Sequence, residues 1–196
     1  MTRLLLARHG QSTWNALGRW QGQADPPLSE LGRLQALHAA RAVGAVDVIV
    51  ASDLERARDT ALIISEQIGV GPVVVEQDLR ERHSGEWSGL TRDEIERDWP
   101  GYLDAERRPP GYEPLEHLVT RVTGAITRIG EEYAGAEVLV VTHGGVIYAI
   151  EQLHEEPWSR LANLESRELI FTDGGTKLGG RLMLVDHDEV TIPEQL

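Results

Sequence analysis

Short apolar runs alternate with longer stretches of helical period along the 196 residues. Residues 4–7, 46–51, 73–76 and 138–142 are leucine-rich or β-branched and bounded by polar residues or glycine, the pattern of buried strands. Between them, SELGRLQALHAARAVG (29–44) sets Leu31, Leu34 and Leu37 on one helical face and stops at Gly44. LERARDTALIISEQIG (54–69) does the same and stops at Gly69. A third helix starts at Thr91, where TRDE has the spacing of a capping box. The stretch 100–114, PGYLDAERRPPGYEP, reads as the most loop-like and most mobile part of the chain. A fourth helix covers 115–133, weakened by Gly124 and Gly130. Finally SRELIFTDGGTKLGGRLMLVD (166–186) reads as two strands joined by a glycine-rich turn, an antiparallel pair at one edge. Strand and helix in alternation predict an α/β sandwich with a mostly parallel sheet.

Composition and charge change this picture. At 41% hydrophobic, the chain can bury one sizeable core, so a single domain over residues 1–196 is expected. The absence of cysteine removes disulfides and thiolate metal sites and suits a reducing compartment. The only N-terminal apolar run, residues 4–7, is far shorter than a signal-peptide core or a membrane span, which predicts a soluble, cytoplasmic protein. A formal charge of −13 argues against nucleic acid or an anionic membrane as partner, since both need a basic face. It leaves room for a small anionic ligand. Surface charges fade beyond about 8 Å at physiological salt, so a few convergent arginines can make a local positive pocket on an acidic protein.

In open α/β sheets ligands bind beyond the carboxyl ends of the strands, and three such ends carry unusual residues. After the first strand comes Arg8-His9-Gly10; after the second comes SDLERARDTA (52–61); after the late strand comes Thr142-His143-Gly144-Gly145. Arginine offers a planar fork of donors that matches phosphate oxygens, and backbone N–H groups at a helix start add more. A phosphate pocket follows. Two histidines also suggest a metal, but there is no H-x-x-x-H spacing and no cysteine, and neither a metal nor an organic cofactor is expected.

With these residues in place, the chain resembles the histidine phosphatase superfamily, in its phosphoglycerate mutase-like branch. The resemblance runs through RHGQSTWN, GQADPPLSELG, SDLERARDTA, LRERHSGEWSGL and VVTHGGVI, in family order, over most of residues 3–150. It implies a three-layer α/β/α sandwich, with a mostly parallel central sheet and an antiparallel edge. It also implies roles. His9 is the nucleophile that takes the phosphoryl group, its other ring nitrogen donating to a backbone carbonyl. Arg8, Arg56 and His143 surround the phosphoryl oxygens, Asn15 adds a donor, and Gln21, Gly22 and Gly144 line the same pocket. Glu81 matches the proton donor, with Glu86 in the same loop as its rival. His83 either touches substrate or holds that loop. Trp14, Trp20 and Trp87 either line the pocket or pack, and Arg58 takes a surface ion pair. His38, His117, His154 and His187 serve the surface or the packing.

The family includes mutases, which carry a longer insertion after the segment corresponding to ERH (81–83), shielding the phosphoenzyme from water. The interval from Glu81 to His143 is short here, so the resemblance implies a phosphatase acting on a small phosphorylated metabolite, a sugar phosphate or a phosphoglycerate-like compound. A mutase and a phospholigand-binding module are the alternatives. Many relatives have Gly-Glu-Ser where this chain reads Gly111-Tyr112-Glu113-Pro114, a departure on the substrate side. A homodimer pairing through the strands near 169–171 and 182–185 is open.

Overall fold

A computed structural model describes residues 1–193. Its six-stranded sheet is assembled from β1 (Thr2–Arg8), β2 (Val48–Ala51), β3 (Val74–Val75), β4 (Glu137–Thr142), β5 (Glu165–Thr172) and β6 (Gly175–Met183), in the order β3-β2-β4-β1-β5-β6. β1, β2, β3 and β4 run parallel, and β5 and β6 are antiparallel additions. The two-residue period decides which residue faces which layer. Leu4, Leu6, Val50, Val138 and Val140 meet α5 (Leu115–Glu132) and α6 (Gly144–Leu153). Ala7, Ile49, Ala51, Leu139 and Val141 meet α2 (Glu30–Ala39) and α3 (Glu55–Ile68) on the other face. Two short helices remain, α1 (Thr13–Ala16), after the first strand, and α4 (Arg92–Asp98). Both start with a capping box, from Ser12 to Asn15 and from Thr91 to Glu94.

The expected architecture is present, with four local differences. α2 buries Gly32, Gln35, Ala36 and Ala39 and leaves Leu34 and Leu37 exposed. The cause is a backbone approach: a Cβ on Gly32 would lie 2.0 Å from the carbonyl oxygen of Gln11, so the glycine face has to point inward. β3 is a two-residue exposed edge rather than a buried strand. Gly130 in α5 makes room for Phe171, whose ring a Cβ there would meet at 2.3 Å. β5 lies between β1 and β6, so residues 169–171 are not available to a second chain, and only β6 and β3 are edges. Among the described residues no helix is long and apolar enough to cross a membrane.

Candidate active site

The carboxyl ends of β1, β2 and β4 lie side by side, and the residues that follow them converge. His9 and His143 are nearly inaccessible, with ring centroids 5.2 Å apart in an edge-on arrangement. His9 Nδ1 lies 2.6 Å from the carbonyl oxygen of Gly10, which accepts from the ring N–H and so leaves Nε2 with a lone pair. Arg56 Nε, at 3.3 Å, donates to that Nε2. Burial, then the cations of Arg56 and Arg8, hold the imidazole well below its ordinary pKa, so it is neutral near pH 7. His143 is depressed the same way, by burial first and then by Arg56. Its Nε2 sits 2.9 Å from Ser52 Oγ, while its Nδ1 has no protein partner among the described residues.

Both arginines are buried cations with bonds to backbone carbonyls. Arg56 donates to Ala24 O and Gly22 O at 2.8 Å each, and burial lowers its pKa to about 10. Arg8 donates through Nη1 to Leu161 O at 2.6 Å, and its Nε meets no protein acceptor among the described residues. Buried donors without acceptors, beside a helix N-terminus, make an environment suited to an anion. Gly22 has φ +50°, and a Cβ there would fall 2.3 Å from Ser84 Oγ. Ser12 Oγ donates to Gln21 Oε1 at 2.7 Å, joining the start of α1 to the loop carrying Gln21 and Gly22.

Glu81 is buried at the same cavity, where it is held as an acceptor. Arg82 N donates to its Oε1 at 2.7 Å and Gly145 N reaches both oxygens at 3.1 and 3.2 Å. The second glycine of T-H-G-G is therefore the one against the carboxylate, while Gly144 begins α6. Arg8, Asn15, Gln21, Gly22, Glu81 and Gly145 line a cavity of about 520 Å³. Arg82, Arg108, Tyr112, Leu118, Tyr148 and Trp158 line it as well. Arg82 and Arg108 stack on the Tyr112 ring at 4.7 and 5.4 Å, and both donate to backbone carbonyls, of Glu113 and Arg107. Another groove, of about 370 Å³ between Val43, Val46 and Leu182, lies at the amino ends of the strands and contains no histidine.

The remaining sequence-predicted residues sort clearly. Glu86 is exposed and absent from the cavity lining. His83 holds the loop: its Nδ1 lies 3.0 Å from Gly111 O and 3.0 Å from Gly85 N. Trp87 is fully buried, whereas Trp20 lines the cavity. Arg58 reaches its surface neighbour Asp59, and His38 pairs with Glu189. In the departure at 111–114, Glu113 is paired with Arg121 at 2.8 Å and Tyr112 faces the cavity. Ser52, Gly145 and Tyr112 stand in stretches that the sequence singles out, but no role is assigned to them there, since only the folded chain shows what each one touches.

Comparison with known proteins agrees with this geometry. A metal-independent phosphoserine phosphatase of Arabidopsis thaliana is 38% identical over 161 residues, 76% of this chain and 67% of that protein. A glucosyl-3-phosphoglycerate phosphatase of Mycobacterium tuberculosis is 40% identical over 163 residues, 76% of this chain and 73% of that one. The solved structure of a mycobacterial glucosyl-3-phosphoglycerate phosphatase in complex with VO3 superposes with a TM-score of 0.82 at 33% identity, covering 91% of this chain and 97% of that one. Residues 4–178 match the model of the histidine phosphatase superfamily (branch 1), and the chain belongs to that family.

Proposed function

We propose that the protein is a phosphatase that hydrolyses a small phosphomonoester through a phosphohistidine on His9, with Glu81 as the proton donor. The observation that carries the reading is the neutral His9, whose Nδ1–H is held by Gly10 O and whose Nε2 accepts from the buried Arg56. In the first half-reaction Nε2 attacks phosphorus, the bond from phosphorus to the leaving oxygen breaks, and that oxygen takes its electron pair and a proton from Glu81. In the second, water attacks the phosphohistidine and gives a proton to the Glu81 carboxylate, and the P–N pair returns to Nε2. Arg8, Arg56, His143 and Asn15 hold the equatorial oxygens, where positioned charge does most of the work of phosphoryl transfer.

The further lining of the cavity supports a substrate class. Arg82 and Arg108 line the cavity, where they donate to the backbone carbonyls of Glu113 and Arg107, and Arg108 also bonds the Tyr112 side chain. An alcohol carrying a carboxylate, as in a phosphoglycerate or phosphoserine, matches that wall; the relatives named above for glucosyl-3-phosphoglycerate and phosphoserine act on such compounds. The test is phosphate release in chelator from p-nitrophenyl phosphate and from a matched pair, 3-phosphoglycerate and glycerol 3-phosphate. Wild-type turnover that is lost in His9→Ala and Glu81→Ala is expected, and isomerisation of 3-phosphoglycerate without hydrolysis would overturn the phosphatase reading. In Arg108→Ala, kcat/KM for 3-phosphoglycerate should drop about tenfold or more, the worth of one charge-assisted bond, with little change for glycerol 3-phosphate.

A further inference from the structure

A chain of buried polar bonds behind the histidine cage has no place in the chemistry just described. Asn163 is fully buried, and its Nδ2 donates to the backbone carbonyl of His9 at 2.9 Å and to Asn15 Oδ1 at 3.3 Å. Its own Oδ1 accepts from Thr191 Oγ1 at 3.0 Å, and its backbone N–H donates to Thr191 O at 2.9 Å. Thr191 Oγ1 in turn accepts from Gln35 Nε2 at 3.0 Å, and Gln35 Oε1 accepts from Gln11 N at 2.8 Å. Every donor in this series meets an acceptor in one consistent direction. Both amide side chains are thereby fixed in orientation, because reversing either one would set oxygen against oxygen or N–H against N–H.

The next residue adds a second sign of constraint. Leu164 is buried with φ +54°, a conformation costly for a side chain branched beyond Cβ. That turn aims its N–H at Arg8 O, 3.1 Å away. The segment 161–164 thus touches Arg8 at Leu161 O and Leu164 N, His9 at its carbonyl, and Asn15 at its amide oxygen. Thr191 lies beyond residue 178, where the family match ends.

We infer that Asn163, locked by Thr191, is a positioning residue that sets the His9 backbone and the orientation of the Asn15 amide. Ser12 N and Asn163 Nδ2 both donate to Asn15 Oδ1, so the amide turns its Nδ2 donor away from them. Without Asn163, the amide can rotate to present an oxygen to an oxyanion, and the strand end that carries the nucleophile loses one of its supports. The inference rests on the phosphatase reading for its rate and on the anion pocket alone for its binding.

The experiment is a double-mutant cycle of Asn163→Ala and Asn15→Ala, with Thr191→Val as a milder third variant that removes only the hydroxyl. Turnover of p-nitrophenyl phosphate and calorimetric affinity for vanadate are measured on protein shown to be folded. The expected result is a fall in kcat of up to about 100-fold for Asn163→Ala and weaker vanadate binding, with most of both effects missing in the Asn15→Ala background. Thr191→Val should move both in the same direction by less. Folded Asn163→Ala within about twofold of wild type, or losses that simply multiply in the double variant, would overturn the inference. Should Asn163→Ala not fold, Thr191→Val decides alone: no change in vanadate affinity overturns it. A wild type that binds vanadate without turnover would overturn the phosphatase reading instead, and the binding cycle would still decide the role of Asn163.

Discussion

His9 and His143 are kept neutral by burial, and this sets how the molecule responds to acid. Their folded pKa values lie below the ordinary imidazole value of about 6.5. Between the two values the unfolded chain binds more protons than the folded one, so stability is full above about pH 6.5 and is lost as pH falls below it. The urea midpoint should therefore decrease from pH 7.5 to pH 5.5, above the range in which paired carboxylates such as Asp53 titrate. His143→Gln removes one of the two groups and should flatten that slope; an unchanged slope would show that His143 is not a buried neutral base. Gly145 supplies a second prediction. A Cβ there would stand 2.2 Å from Glu81 Oε1, so Gly145→Ala has to displace the carboxylate. A fall in kcat of about 100-fold with an unchanged circular dichroism spectrum is expected, the effect of a misplacement near 1 Å.

α5 shows how a helix with no residue in the phosphoryl cage can govern it. Arg121 Nη1 donates to Asp78 O and Arg80 O at 2.7 and 2.6 Å, its Nη2 donates to Glu81 O at 3.1 Å, and the same fork grips Glu113. The strand-end segment carrying Glu81 and the loop carrying Tyr112 are thereby tied to one side chain. Arg121→Lys should lose most of this, since an ammonium cannot span three carbonyls and a carboxylate. Arg121→Met should cost up to about 3–5 kcal/mol in chemical denaturation, because it removes the paired cation of Glu113 in a largely buried position and leaves only the nearby Arg82. None of this was legible in the sequence. The two-residue and 3.6-residue periods identify strands, helices and the strand ends where Arg8, His9, Arg56 and His143 emerge, because burial dictates those periods. A bond between side chain and distant backbone leaves no period, which is why the roles of Arg121, Gly145 and Asn163 became visible only in three dimensions. The α2 face differs from the expected one for a related reason: the backbone contact of Gly32 with Gln11 outweighs Leu34 and Leu37, and no hydropathy pattern records a backbone contact.

Across the molecule as a whole, a net charge of −13 coexists with a cavity walled by Arg8, Arg82 and Arg108 and backed by Arg56, because low-dielectric walls let local charge prevail over distant charge. Far from that cavity the acidic residues are mostly on the surface, and one exception joins several elements. Glu151 of α6 is buried between Arg167 of β5 and Arg181 of β6, at 2.7 Å from each. Arg181 also donates to Ser159 O and Arg160 O at 3.1 Å each, holding the connection that leads to Leu161 and Asn163. Glu151→Gln would remove the buried carboxylate shared by the two arginines, leaving Arg167 only Glu156 and Arg181 only Glu165, and breaking such a buried group costs up to about 3–5 kcal/mol. Glu168→Gln removes one of the two carboxylates at Arg3, which keeps Glu137, at a site where the arginine side chain is 49% exposed, and should shift the urea midpoint far less. Urea denaturation of the two variants side by side gives the comparison. The buried cluster anchors the connection that supports Arg8, so Glu151→Gln assayed well below its denaturation midpoint should also show weakened vanadate affinity, whereas Glu168→Gln should bind vanadate as the wild type does. Equal losses of stability in the two variants would mean that the burial of Glu151 carries no energetic weight, and the antiparallel edge would then be independent of the site it borders.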